Sequence, residues 1–262
     1  GLFLVPVGII NETHEPPTFY GVERPDVEKN IIPTTWWEAG VGIFGDVAPG
    51  LKYKLYYMSS PDAFDFTASS GIRNGRQKVA NATAEDFALT GRLEYTGVLG
   101  LKLGGSFFTG DTAQGNAALG DATVTILGAD AQYSIRNFDF RGLYATVDVD
   151  DADKIKTVTG EDVGEKMVGW YVEGAWRFLS RLLPETDQEI ALFARYSEYN
   201  TQDEVPAGST ASGANDMEVL TLGLDYKPHP MVAIKVDYQD RNNDDPSTEA
   251  ADQWNVGIGY WF

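Results

Sequence analysis

Three cations fall within six residues at Arg73, Arg76 and Lys78, in the stretch Ser70-Gly71-Ile72-Arg73-Asn74-Gly75-Arg76-Gln77-Lys78. The chain around them is strongly acidic, with a net charge of −19. Around an aqueous opening, such a cluster attracts anions and repels cations. On a surface loop, the same residues pair with neighbouring acids. Both readings are open at this level. A second segment of interest, residues 12–33, carries Glu23 and Arg24. Its Pro16, Pro17, Pro25 and Pro33 restrict the backbone, which suits an ordered loop.

Other chemistries find little support. There is no cysteine, which excludes disulfide scaffolds, zinc–cysteine sites, thiol nucleophiles and Cys-x-x-Cys-His heme attachment. His14 lies in a long loop and His229 between two prolines, and neither has an identifiable nucleophile to activate. Gly40-Val41-Gly42-Ile43-Phe44-Gly45 fits G-x-G-x-x-G, but no helix follows it, so its glycines read as strand positions. An enzyme is therefore not expected. The negative charge argues against nucleic acid as a partner. Asp148, Asp150, Asp151 and Asp153 form an acidic run without the Gly and closing Glu of an EF-hand loop. This run reads either as a weak Ca2+ or Mg2+ site bridging anionic lipopolysaccharide, or as solvated loop charge. No cofactor is expected.

Period-two alternation determines what carries these residues. Leu220, Leu222, Leu224 and Tyr226 alternate with Thr221, Gly223, Asp225 and Lys227. Val232, Ile234, Val236 and Tyr238 alternate with Ala233, Lys235, Asp237 and Gln239. Side chains on a strand point to opposite faces in turn, so each run has one apolar and one polar face. About twelve such runs are expected, near 1–12, 34–46, 51–60, 87–96, 101–110, 123–136, 138–148, 166–179, 189–200, 217–227, 231–241 and 253–262. No window approaches the roughly 18 apolar residues of a spanning helix, but a barrel strand needs only about 9–11 residues. Connections alternate long and short, as in an outer-membrane barrel with short periplasmic turns and longer outer loops. The expectation is an all-β, transmembrane, antiparallel up-and-down barrel in one domain, 1–262. Both chain ends are placed at the periplasmic side. The competing fold is a soluble β-sandwich, but aromatics at strand ends look like membrane girdles.

Sorting charges by strand parity places Lys52, Lys54, Arg92, Arg136, Arg141 and Arg177 on the inner wall. Glu38, Glu94, Asp130, Asp139, Glu173, Asp225 and Asp237 share that wall. A mixed, charged interior predicts water inside rather than a packed core. No long helix or separate segment is expected to plug it. The implied role is a passive pore for small hydrophilic or anionic solutes, with Glu23, Arg24, Arg73, Arg76 and Lys78 at its constriction. The alternative is a structural barrel that sheaths a partner such as an electron carrier.

Gly1-Leu2-Phe3-Leu4-Val5-Pro6-Val7-Gly8, then Pro17-Thr18-Phe19-Tyr20-Gly21-Val22-Glu23-Arg24, then Ile32-Pro33-Thr34-Thr35-Trp36 resemble the phosphate-selective porin O/P family. The resemblance is specific over about the first 45 residues and generic beyond them. It implies a sixteen-stranded, usually trimeric barrel with an inward loop, to which Glu23 and Arg24 would belong. Twelve visible strands imply either about four missing at the N-terminal side or a smaller barrel closing its first strand on its last. The mixed lumen departs from the family's dense Arg and Lys ladder. Phe262, with Tyr260 before it, resembles the C-terminal assembly signal of outer-membrane proteins. Lipid and lipopolysaccharide are the implied surroundings.

Overall fold

The computed structural model describes residues 1–179 and 186–261. Twelve strands form one antiparallel sheet in sequence order: β1 (Leu2–Leu4), β2 (Trp37–Ala48), β3 (Leu51–Ser59), β4 (Phe87–Tyr95), β5 (Leu101–Gly110), β6 (Val124–Ile135), β7 (Phe138–Val149), β8 (Lys166–Arg177), β9 (Glu189–Glu204), β10 (Asp216–His229), β11 (Val232–Asn243) and β12 (Gln253–Tyr260). Each strand pairs with the next, which makes an up-and-down barrel wall. Among the described residues, the short α-helices α1 (Val27–Asn30) and α2 (Ala152–Thr159) lie in the connections.

The two faces of the wall have opposite chemistry. Leu93, Leu127, Phe138, Phe140, Tyr144, Val172 and Trp176 are exposed on the outside, and on β12 Val256 and Ile258 are 76% and 74% exposed. Their strand neighbours Arg92, Asp130, Glu173, Arg195, Asp225 and Lys235 are buried inside. A water-soluble sandwich hides its apolar faces and shows its charges. This wall does the reverse, which suits hydrocarbon outside and polar contacts within. Tight turns fit one end: Gly50 has φ +78°, and Arg136 has φ +53° in the turn between β6 and β7.

Three expectations need correction. The first run, 1–12, is a strand only over Leu2–Leu4. Pro6 cannot donate to a ladder and Gly8 turns the chain at φ +78°, so Val5, Val7, Ile9 and Ile10 leave the wall and become buried core. Their alternation reflected burial, not pairing. Second, Gly1 sits opposite Gly40, to whose carbonyl its amine donates at 2.8 Å. That is the long-loop half of β2, not the short-turn end. At the other end of the chain, the Trp261 amide bonds to Met231 in the short turn after β10. Third, of the two arrangements left open for twelve strands, closure of β1 on β12 is not found. Among the described residues β12 pairs only with β11, and most of β2 pairs only with β3, so the wall has an open seam. Phe262 and part of the turn expected at 180–188 lie outside the described residues.

Candidate functional site

Residues 5–36 leave the wall and run through the interior. Asn11 fastens the two ends of this excursion. Its amide donates to Val5 O at 2.8 Å and Trp36 O at 2.9 Å, and its Oδ1 accepts from Trp36 N at 2.8 Å. Further along, Glu28 of α1 accepts the amides of Ile9 (2.7 Å) and Ile10 (2.6 Å) and the hydroxyl of Tyr171 on β8 (2.7 Å). The Val22 amide donates to Asp237 at 2.6 Å. Lys235 caps the carbonyls of Pro16 (2.5 Å), Phe19 and Gly21 (3.0 Å). Tyr20 reaches down to Asp139, near the short-turn end of β7, at 2.5 Å.

Small residues on the wall make room for this segment. A Cβ at Gly259 would fall 2.2 Å from Pro16, and one at Gly257 would fall 2.9 Å from Val22. Apolar residues of the segment join inner-wall residues in one core with Trp36, Phe108, Ile126, Val147 and Met167. The interior is therefore not simply water-filled. The chain supplies its own inward filling, assembled from a run too short and irregular to announce itself as a separate unit.

The predicted inner-wall cations are placed as follows. Arg92 forks onto Asp130 at 2.6 and 2.8 Å, with Glu94 at 3.5 Å. Arg141 lies 3.8 Å from Glu173, and Arg177 lies 2.8 Å from Asp139 and 3.6 Å from Glu189. Lys54 pairs with Glu12 of the inward segment. Lys52 is exposed, in register with Asp46 and Glu94. Arg136 lies in a turn rather than on the wall. Most of these charges bind neighbours or the inward segment instead of facing open water.

The predicted constriction residues differ from them. Among the described residues, Arg24, Arg73, Arg76 and Lys78 form no ion pair. Arg24 donates to His14 O at 3.2 Å, and Arg73 to Lys29 O at 2.7 Å. Arg76 donates to Arg73 O at 2.6 Å, to Thr34 O and to Thr35 Oγ1 at 3.3 Å. Burial first, then repulsion from neighbouring cations (Arg24 for Arg73; Arg73 and Arg24 for Arg76), lowers the pKa of both, that of Arg76 to about 10, and guanidinium stays charged at neutral pH. Arg24 and Arg73 border a hollow of about 310 Å³ with His14, Phe19, Lys29 and Thr34, and no wall strand contributes to it. Glu23 lines it too, 3.5 Å from Lys29. Lys78 is set apart: its Nζ lies 5.0 Å from the centre of the Trp37 ring, on the outward parity of β2.

The acidic run does not gather. Asp148 belongs to β7, while Asp151 takes Lys154 at 2.9 Å and the amide of Asp121 at 3.2 Å. Among the described residues, no three His, Asp or Glu side chains converge, so Asp148, Asp150, Asp151 and Asp153 are not gathered into one cluster. Among the described residues the rings of His14 and His229 hydrogen-bond to backbone atoms, of Asn11 and Met231. Tyr260 ends β12 on its exposed face. The docking roles of Glu28, Lys235 and Asp237 were not foreseen. The glycines at 257 and 259, opposite a proline-rich loop, were the available signal.

A channel of the outer membrane of Acinetobacter baumannii, DcaP, superposes with a TM-score of 0.57 at 12% identity, covering 97% of this chain and 68% of that one. An anion-selective porin from Comamonas acidovorans gives 0.52 at 15% identity, covering 99% and 68%. OmpF of Salmonella typhi, in complex with daunomycin, gives 0.53 at 14% identity, covering 85% and 61%. The fold is that of outer-membrane porins. At these identities the likeness is one of fold. No family model matches the chain. An uncharacterized protein of Aquifex aeolicus is 36% identical over 250 residues, which is 91% of this chain. The chain spans 56% of that relative's length.

Proposed function

We propose that this chain forms the wall and inward loop of a diffusion porin in a bacterial outer membrane, passing small hydrophilic solutes with a preference for anions. The observation that carries this reading is the cluster of Arg24, Arg73 and Arg76. Among the described residues these guanidiniums form no ion pair, and Arg24 and Arg73 border a hollow on the inward loops, whereas the wall cations Arg92, Arg141 and Arg177 are paired. Positive charge that is not held in an ion pair, beside a low-dielectric wall, sets the sign of the ions that enter.

The seam between β12 and β2 leaves backbone groups unpaired, which hydrocarbon does not tolerate. Further strands close the wall in the working pore, and the aqueous path runs between them and the free face of the inward segment. Long loops face outward towards lipopolysaccharide, the short turns face the periplasm, and the assembly is a homotrimer. Phosphate specificity is not part of the proposal. The forks that would grip phosphate are partly taken up by the carbonyls of Lys29, Arg73 and Thr34. A sheath for a partner has less support, because the inward segment docks on the inner-wall residues Lys235, Asp237 and Asp139 that a partner would otherwise meet.

Planar-bilayer recording across a potassium chloride gradient tests this. The expected result is stepwise conductance with a reversal potential of anion-preferring sign. Absence of conductance removes the pore reading, and cation preference removes the role of the arginines.

A further inference from the structure

We infer that Glu38 is a positioning residue that holds Arg76 and Arg73 in place and thereby sets the ion preference of the pore, an inference that rests on the porin reading. Glu38 is fully buried on the inner face of β2, where the chain returns from the interior to the wall. No cation pairs with it among the described residues. Five hydrogen-bond donors converge on its carboxylate instead. Oε1 accepts from Trp36 Nε1 (3.2 Å), the Gln77 amide (3.2 Å) and the Lys78 amide (3.1 Å). Oε2 accepts from Ser59 Oγ (3.0 Å) and the Val79 amide (3.3 Å).

Three successive backbone amides aimed at one anion make a nest, and here the anion is the protein's own side chain. The backbone is bent to achieve this. Lys78 and Val79 have φ of +49° and +65°, the left-handed region, which a β-branched residue such as Val79 rarely enters. Such a conformation persists only where the surroundings over-determine it. The five-donor carboxylate is that determinant. It fixes residues 77–79, and Arg76 immediately before them is drawn back onto Arg73 O and Thr34 O. Arg73 is in turn held on Lys29 O of the inward segment. One wall carboxylate thus registers the basic loop against the inward loop.

Glu38 is also a negative charge near Arg76, so its removal distinguishes two roles by sign. If it acted only through its field, Glu38→Gln would leave the arginines less neutralised and raise the anion preference. As a positioning residue, its replacement turns an NH2 towards donors that one carboxylate oxygen had accepted, either the Gln77 and Lys78 amides with Trp36 Nε1 or the Val79 amide with Ser59 Oγ, releases the turn and lowers the preference.

The test is the reversal potential of the assembled protein in bilayers. The expected result for Glu38→Gln is about a twofold fall in the anion-to-cation permeability ratio, with single-channel conductance retained. Adding Val79→Gly, which removes the left-handed strain, is expected to restore part of the ratio, while Val79→Gly alone leaves it near the wild-type value. If Glu38→Gln does not assemble, Glu38→Asp, which keeps the charge but withdraws it by one methylene, is expected to lower the ratio in the same direction. A raised or unchanged ratio in the variant that assembles overturns the inference. A wild-type protein without conductance overturns the porin reading beneath it, and one that conducts without anion preference overturns the role of the arginines, so these failures are distinguishable from that of Glu38.

Discussion

Glu28, on the one-turn helix of the inward segment, accepts the hydroxyl of Tyr171 on the barrel wall at 2.7 Å. The same carboxylate holds the amides of Ile9 and Ile10, so one buried side chain joins two stretches of the loop to each other and to β8. Burial raises its pKa to about 7, opposed by the bonds from Ile10, Tyr171 and Ile9 and assisted by the charge of Asp130. A carboxyl raised above its unfolded value docks best when protonated. Its stabilisation is complete below about 4.5, the unfolded value, and is lost as pH rises through about 7. Limited proteolysis of residues 5–36 in lipid vesicles should therefore accelerate between pH 5 and pH 8.5. Glu28→Gln should flatten that profile. A profile identical in both proteins would show that another group governs the loop.

Replacing Arg73, Arg76 and Lys78 together by Ala should reduce anion preference. Most of the loss should come from Arg73 and Arg76, because Lys78 lies over Trp37 at the rim. Reversal potentials of the three single variants check the ranking, and an effect as large for Lys78→Ala as for Arg76→Ala would contradict this placement.

Asp130→Ala should destabilise the barrel by about 3–5 kcal/mol, because Arg92 stays buried without its bidentate partner. Replacing both members with well-packed apolar residues should cost much less, since no charge is then left unpaired. Urea unfolding in vesicles, followed by tryptophan fluorescence, measures both. Equal losses in the two variants would mean that packing, not the charge, is at stake.

Gly259→Val should dislodge the inward segment, because even a Cβ there would meet Pro16 at 2.2 Å. The expected readouts are faster proteolysis within residues 5–36 and noisier, larger conductance. Unaltered conductance together with intact proteolytic protection would mean that the contact yields without consequence.

Leu127→Arg, on the lipid face, should cost about 2–4 kcal/mol near the bilayer midplane. Gln132→Glu, on the inner face between Lys102 and Arg141, should be neutral or stabilising. The same unfolding assay reads both. A reversed order would invert the assignment of the two faces.

Much of the wall is legible in the sequence because each strand states its face locally. Leu220 to Lys227 and Val232 to Gln239 separate apolar from polar side chains by parity alone, and the sheet pairs them as that parity requires. The same code misreads residues 5–10. Val5, Val7 and Ile9 alternate like a strand, yet they are buried in a core facing Phe108 and Ile126. Periodicity reports which residues avoid water, not which backbone they pair with. Arg73 and Arg76 were visible as a local cluster, but that they form no ion pair among the described residues depended on where the acids of distant segments came to rest.

Amino-acid order by itself determined the twelve alternating runs, the alternation of long and short connections, the apolar exterior and the crowding of cations at 73–78. These are short-range properties, set by residue type at spacings of a few positions. Only the tertiary structure decided that residues 5–36 turn inward and that β1 and β12 stay apart. It also decided that Glu38 receives the amides of residues 77–79 and that Glu28 meets Tyr171. Those relationships join positions 39 to 143 residues apart, and nothing local encodes them. They follow from the need of buried polar groups to find partners once the sheet has curved around them.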